Sequence, residues 1–364
     1  MKKIYFKNLN GLRFIAALSV IIHHTEQLKS KFGLESKWGL NIINNLGNIG
    51  VQFFFVLSGF LITYLLLDEK KRGEINYKKF IFRRIYRIWP LYFTIVILSF
   101  FIAPRFEILN TPFTATIFDN FYLKLICVCL FIPNIIFKIV KAVPLASQSW
   151  SIGVEEQFYI FWPLIVKKVK KPLTTFTLII LTYVLVKIFF FRISIIYMDL
   201  NVISKIINDF SLSGFVLGAI GAYIAYDKKQ KLLYYIVSKI IFRFSVFIFI
   251  LLMINLNSES YYYFGLISIE NEIFCFLFII FIINFIYNKK LTLSLENNAF
   301  TYLGKISYGL YMYHPICITL LLNLMKTKNS LDTLIYPLTL IFTILLASLS
   351  YKYIEKPFLK LKKY

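Results

Sequence analysis

Acidic residues are scarce in this chain of 364 residues: 18 Asp and Glu stand against 41 Lys and Arg, and charged residues of both signs make up only 16%. So little charge, combined with 59% hydrophobic residues and a mean hydropathy of +0.70, excludes an ordinary soluble globule. Cysteine is rarer still. Cys127, Cys129, Cys275 and Cys317 lie in apolar runs without zinc-type spacing and read as small hydrophobes, so no metal is expected. No internal repeat is visible, and no small-x-small cleavage site follows Lys2, Lys3 and Lys7, so the first helix is expected to stay in the mature protein.

What the chain does have is a succession of apolar runs of membrane-spanning length, near residues 9–27, 44–67, 89–104, 152–166, 173–193, 208–227, 233–255, 264–288, 305–325 and 333–354. The expected fold is therefore all-α, a transmembrane helical bundle of about ten spans, with the broken run 121–137 as a re-entrant or half-buried helix. Basic clusters support the count. Lys70, Lys71, Arg72, Lys78, Lys79, Arg83, Arg84 and Arg87 follow the second span; Lys167, Lys168, Lys170 and Lys171 the fourth; Lys228, Lys229 and Lys231 the sixth; Lys289 and Lys290 the eighth; and Lys356, Lys360, Lys362 and Lys363 the tenth. By the positive-inside rule this places both termini in the cytoplasm, and it accounts for the net charge of +23 without nucleic acid as a partner. The whole of 1–364 reads as one integral-membrane domain with no appended soluble domain.

Within these runs a few polar residues demand an explanation. Arg13 and His24, eleven residues apart, project from one face of the first helix about 16 Å apart along its axis, and ionisable groups at that depth mark a functional site by default. Arg84 and Arg87 share a helix face beside Arg83. A juxtamembrane basic helix that touches anionic lipid would look like this, but two guanidinium forks three residues apart also suit a phosphorylated donor such as a coenzyme A thioester. In Trp150-Ser151-Ile152-Gly153-Val154-Glu155-Glu156-Gln157-Phe158-Tyr159 one carboxylate is expected in solvent and the other, Glu155, toward the bundle, where it would accept a proton, orient an imidazole or bind sugar hydroxyls. Ser307, Tyr311 and His314 recur at steps of four and three and build one polar stripe, although a histidine before Pro315 can also serve only a freed carbonyl. Asp209 is a weaker candidate or an interfacial cap.

At these residues the chain resembles the acyltransferase-3 family of integral-membrane O-acyltransferases. The resemblance is carried, in order, by Leu9-Asn10-Gly11-Leu12-Arg13 with His24; Gly50 through Ile62; Arg83-Arg84-Ile85-Tyr86-Arg87-Ile88-Trp89-Pro90; Trp150 through Tyr159; Gly304 through His314; and Tyr353-Ile354-Glu355-Lys356-Pro357. It implies transfer of an acyl group, usually acetyl from cytoplasmic acetyl-CoA, to a hydroxyl of a surface or exported carbohydrate such as O-antigen, capsule or exopolysaccharide. It places Arg13 and His24 on the family's Arg/His pair, Arg84 and Arg87 on its Arg-x-x-Arg element, and Glu155 on the glutamate of its Trp-Ser-Leu block, here with Ile152 for leucine. It also implies a bacterial cytoplasmic membrane, contact with membrane lipids and possible glycan-assembly partners. On this reading His24, Arg13, Glu155 and His314 are catalytic, and Arg83, Arg84, Arg87 and Arg13 bind the donor. Glu155 and His314 are expected on the acceptor side, with specificity in the loops 28–43, 105–150 and 194–207. A secondary transporter, or a flippase or scaffold of a glycan assembly line, is the alternative.

Overall fold

A computed structural model describes residues 4–73, 75–197, 200–227, 236–255, 270–288, 294–325 and 334–361. Lys228, Lys229, Lys231, Lys289, Lys290, Lys362 and Lys363, part of the charge pattern, lie outside the described residues. The described residues contain helices and turns but no strand. The helices are α1 (Leu9–Lys31), α2 (Asn41–Lys71), α3 (Tyr77–Ile97), a short α4 (Phe121–Cys129), α5 (Ser149–Lys168), α6 (Pro172–Ile196), α7 (Asn201–Asp209), α8 (Leu212–Tyr226), α9 (Lys239–Asn255), α10 (Glu270–Tyr287), α11 (Asn298–Lys305), α12 (Ser307–Met325), α13 (Ile335–Ser350) and α14 (Lys356–Lys360).

Six stretches are long and apolar enough to cross a membrane: α2, α3 with its continuation to Arg105, α6, the α7–α8 stretch, α10, and Ile335–Lys360. The other four expected spans are also helical, at α1, α5, α9 and α12. Of these, α1, α5 and α12 carry Arg13 and His24, the two glutamates, and His314. The polar residues that single them out also dilute their apolarity. The run 121–137 forms only the nine-residue α4 and a turn at Pro133–Ile136, too short to span. One boundary moves substantially. The third helix starts at Tyr77, where the Asn76 side chain caps the Lys79 amide at 2.9 Å, so the basic stretch is itself helical.

The chain divides into two compact units. The first comprises residues 1–16, 44–75 and 161–305. Its core is aromatic and aliphatic, built on Phe53, Val56, Leu57 and Phe60 of α2 and Phe274, Phe278, Ile279 and Ile282 of α10. Where α2 crosses α8 the backbones touch: a methyl group added to Gly59 would lie 2.1 Å from the Phe215 carbonyl oxygen, and one added to Gly218 would lie 2.1 Å from that of Val56. With no hydrophobic drive between helices in lipid, such close packing supplies the attraction. Hydrogen bonds add to it, from Gln52 to Ser211 (2.9 Å), Asn48 to Asn271 (2.8 Å) and Trp162 to Thr63 (2.7 Å), together with the ion pair of Lys187 and Glu272 (3.1 Å). Burial differs sharply between its helices, at 72% of the most apolar stretch of α2 against 11% for α6, so most side chains of α6 face outward.

The second unit comprises residues 17–43, 76–160 and 306–364. Two π-helical stretches, Leu98–Ile102 after α3 and Tyr351–Glu355 after α13, interrupt its longest helices. Gln157 of α5 ties back the 131–134 turn through the Phe131 carbonyl at 2.8 Å and Asn134 at 2.9 Å. Asn323 on α12 holds the carbonyls of Ile108 (3.0 Å) and Asn110 (2.8 Å).

Candidate functional site

The chain contains only three histidines, and the second unit brings all of them together. His314 Nε2 lies 2.9 Å from His24 Nδ1, with the rings 4.9 Å apart and inclined by 27°. The His23 ring stands edge-on to His24, also at 4.9 Å, and its Nδ1 lies 3.0 Å from the Ile43 carbonyl. His314 is fully buried; His23 and His24 are half-buried. Two neutral imidazoles that share one hydrogen bond need one donor and one acceptor. The Nδ1 of His314 forms no well-made hydrogen bond but faces the carbonyls of Leu310 and Tyr311. Pro315 deprives the Tyr311 carbonyl of its helical donor. That environment favours the proton on Nδ1, so Nε2 accepts from His24. The Val20 carbonyl, beside His24 on the same helix, favours Nδ1–H there as well. His24 Nε2 then keeps a lone pair, which suits it to take a proton or an acyl group.

The expected stripe on α12 is present. Ser307, Tyr311 and His314 are all buried, and the Tyr311 ring lies 5.9 Å from His314. The start of α5 meets this stripe: Ser151 Oγ lies 2.7 Å from the Tyr311 hydroxyl and donates to the Gln148 carbonyl at 3.0 Å, while Gln148 Nε2 donates to the Met312 carbonyl at 2.9 Å.

The arginines form a second group in the same unit. The Arg84 guanidinium lies 5.4 Å from the Phe80 ring centre and 5.6 Å from that of Tyr159, so both rings fix it; its buried Nε has no hydrogen-bond partner. The Tyr159 hydroxyl donates to the Glu155 carboxylate. Arg87 is exposed and Arg83 half-buried. Glu156, the neighbour expected in solvent, is the more buried of the two carboxylates: its Oε2 accepts from Trp89 Nε1 at 3.2 Å and its Oε1 is buried without a partner. The bond from Tyr159 thus links Glu155 to the arginines. The sequence fixes the 100° between adjacent helical positions but not the rotation of the helix about its axis, so it did not identify which carboxylate turns inward.

Arg13 belongs to the first unit, half-buried, with Nη1 3.3 Å from the Asn10 side chain. Asp209 ends α7. Two residues of the second unit escaped the sequence reading: His23, whose signal was the His-His dipeptide, and Glu26, fully buried; Glu355, named there only as part of a motif and given no role, is buried in the π-helical stretch with one oxygen unpartnered. Among the described residues no group of three His, Cys, Asp or Glu side chains is placed to hold a metal ion.

The profile of the acyltransferase domain family matches residues 6–352. A Staphylococcus aureus (strain COL) protein named "Putative O-acetyltransferase" is 28% identical over 385 aligned positions, which cover 98% of this chain and 58% of that protein. The "O-acetyltransferase OatA" of S. aureus (strain NCTC 8325) is 27% identical over 371 positions, covering 98% and 57%. The chain therefore spans a little over half the length of the curated relatives it matches. No solved structure matches it. An all-helical chain with membrane-length apolar helices, an imidazole pair at the meeting of α1 and α12, and a family profile matched over 6–352 belongs to the acyltransferase-3 family.

Proposed function

We propose that this chain is a membrane O-acetyltransferase that moves acetyl from cytoplasmic acetyl-CoA to a hydroxyl of a surface or exported carbohydrate, within a bundle of ten crossings whose two ends lie in the cytoplasm of a bacterium. The observation that carries the reading is the His24–His314 pair, which leaves one imidazole nitrogen of His24 available for chemistry. The names of the relatives support acetyl as the group transferred.

In the proposed reaction Arg84 and Arg87, with Arg83 beside them, bind the phosphates of the donor; Arg13, on the same helix as His24, supplies a further cation. The acceptor oxygen attacks the thioester carbonyl as His24 Nε2 removes its proton, the carbon–sulfur bond breaks, and the leaving thiolate takes a proton back from the imidazolium. Equally, Nε2 attacks the thioester carbonyl first and the carbon–sulfur bond breaks to release the thiolate; the hydroxyl then takes the acetyl group from Nε2, leaves its proton on the imidazole, and that proton passes to the thiolate. Both routes need the same tautomer, and in both His314 is a positioning residue. Glu155 is assigned to hold Tyr159 against Arg84, an alteration of its expected place on the acceptor side.

The test uses membranes carrying the wild-type chain or His24→Ala at equal expression, with acetyl-labelled acetyl-CoA and a surface-glycan preparation. Alkali-labile label on carbohydrate that requires His24 is the expected result. A wild type that moves a solute or lipid while leaving the thioester unspent overturns the reading in favour of transport.

A further inference from the structure

The segment that follows α1 is held against the histidine cluster by more contacts than a connecting loop needs. Gly33, at φ +74°, closes the helix, with the Leu34 amide bonded to the Lys29 carbonyl at 3.0 Å. Phe32 and Leu34 pack on Ile318, Leu322 and Ile335, which already secures the loop by apolar contact. Further along, the Lys37 amide donates to the Glu26 carboxylate, which is fully buried and also accepts from the Tyr336 hydroxyl. Between that anchor and the bond from His23 to Ile43 stands Trp38.

Trp38 is not among the apolar anchors. Its ring is half-buried and packs against an imidazole instead, 4.9 Å from His23 at 65°. His23 in turn lies 4.9 Å from His24, so two successive ring contacts connect an indole at the surface to the nitrogen that carries the proposed chemistry. An indole offers a rigid flat apolar face at little cost in conformational entropy, with a polar edge. A pyranose has the complementary shape: axial C–H bonds on a face, hydroxyls around the rim. We propose that Trp38 is the platform on which a sugar ring of the acceptor stacks, so that the fixed loop 32–40 presents one hydroxyl of the sugar chain to His24. This rests on the acetyl-transfer reading and adds to it the acceptor's binding residue.

The experiment uses the full chain, purified in detergent, with acetyl-CoA and a panel of cellotetraose, chitotetraose and maltotetraose as acceptor probes. Trp38→Ala is expected to raise the acceptor KM tenfold or more while kcat and the donor KM stay within twofold, and Trp38→Phe is expected to restore most of the loss. Independently of turnover, the best probe is expected to shift the tryptophan emission of the wild type but not that of Trp38→Phe, which isolates Trp38 from the other three tryptophans. An unchanged acceptor KM in Trp38→Ala overturns the platform and leaves acetyl transfer standing. A wild type that shows the Trp38-dependent shift but spends no thioester keeps the platform and overturns acetyl transfer. If folded protein shows no shift with any of the three probes, the platform is overturned.

Discussion

The two units treat buried polarity in opposite ways. Among the described residues the first leaves three buried side-chain atoms without a hydrogen-bond partner, on Asn44, Asn208 and Ser213, none of them ionisable. The second leaves eleven, and they include Arg84 Nε, Glu156 Oε1, Glu355 Oε1 and His314 Nδ1. An unpaired buried polar atom costs about 1–3 kcal/mol. A helical protein that closes its polar pairs in one half has no folding reason to leave charged groups open in the other. In the first unit Gln52, Asn48 and Lys187 already have their partners, whereas the open atoms of the second include those of groups proposed above to serve the reaction.

Four variants bear on this contrast. His24→Ala removes the proposed base or acyl carrier, and acetyl transfer is expected to fall by about 10³-fold, the range of general base catalysis, with unchanged thermal stability in detergent. Replacing Arg84 and Arg87 together with lysine keeps the charge but loses the forked geometry; the donor kcat/KM is expected to drop by about 10- to 100-fold, while a role limited to lipid attraction predicts no change. Gly218→Leu acts on the other side of the comparison. A side chain driven into the Val56 carbonyl is expected to cost about 1–3 kcal/mol and to lower the melting temperature, with residual activity per folded molecule near wild type. The smallest effect belongs to Gln52→Leu, which breaks the bond to Ser211 and is expected to cost about 0.6 kcal/mol, read as a slight shift in detergent melting. Stability losses at the first pair, or catalytic losses at the last, would erase the division of labour.

Much of the helical layout was legible because membrane length and apolarity leave few alternatives. The run at 173–193 became α6, and that at 264–288 contains α10, described from Glu270. The start of α3 was not legible from hydropathy, since Lys78 through Arg87 lower apolarity without opposing a helix, and only the Asn76 cap fixes its end. Site residues stood out one by one as polar groups in apolar runs. Their pairing did not: His24 and His314 are separated by 290 positions, and nothing local in either motif names the other. For the same reason Glu156 read as a surface charge, because burial is a property of the neighbours that packing supplies.

The stretch Tyr351–Glu355 bears on how the molecule tolerates changes in length. A π-helical turn holds more residues than an α-helical one and is equivalent to a single-residue insertion inside a continuing helix. Deleting one residue there would let α13 run on into α14 as an ordinary α-helix and would swing everything beyond the deletion through about 100° relative to α13. The inward aim of Glu355 therefore depends on the number of residues in the turn as much as on their identity.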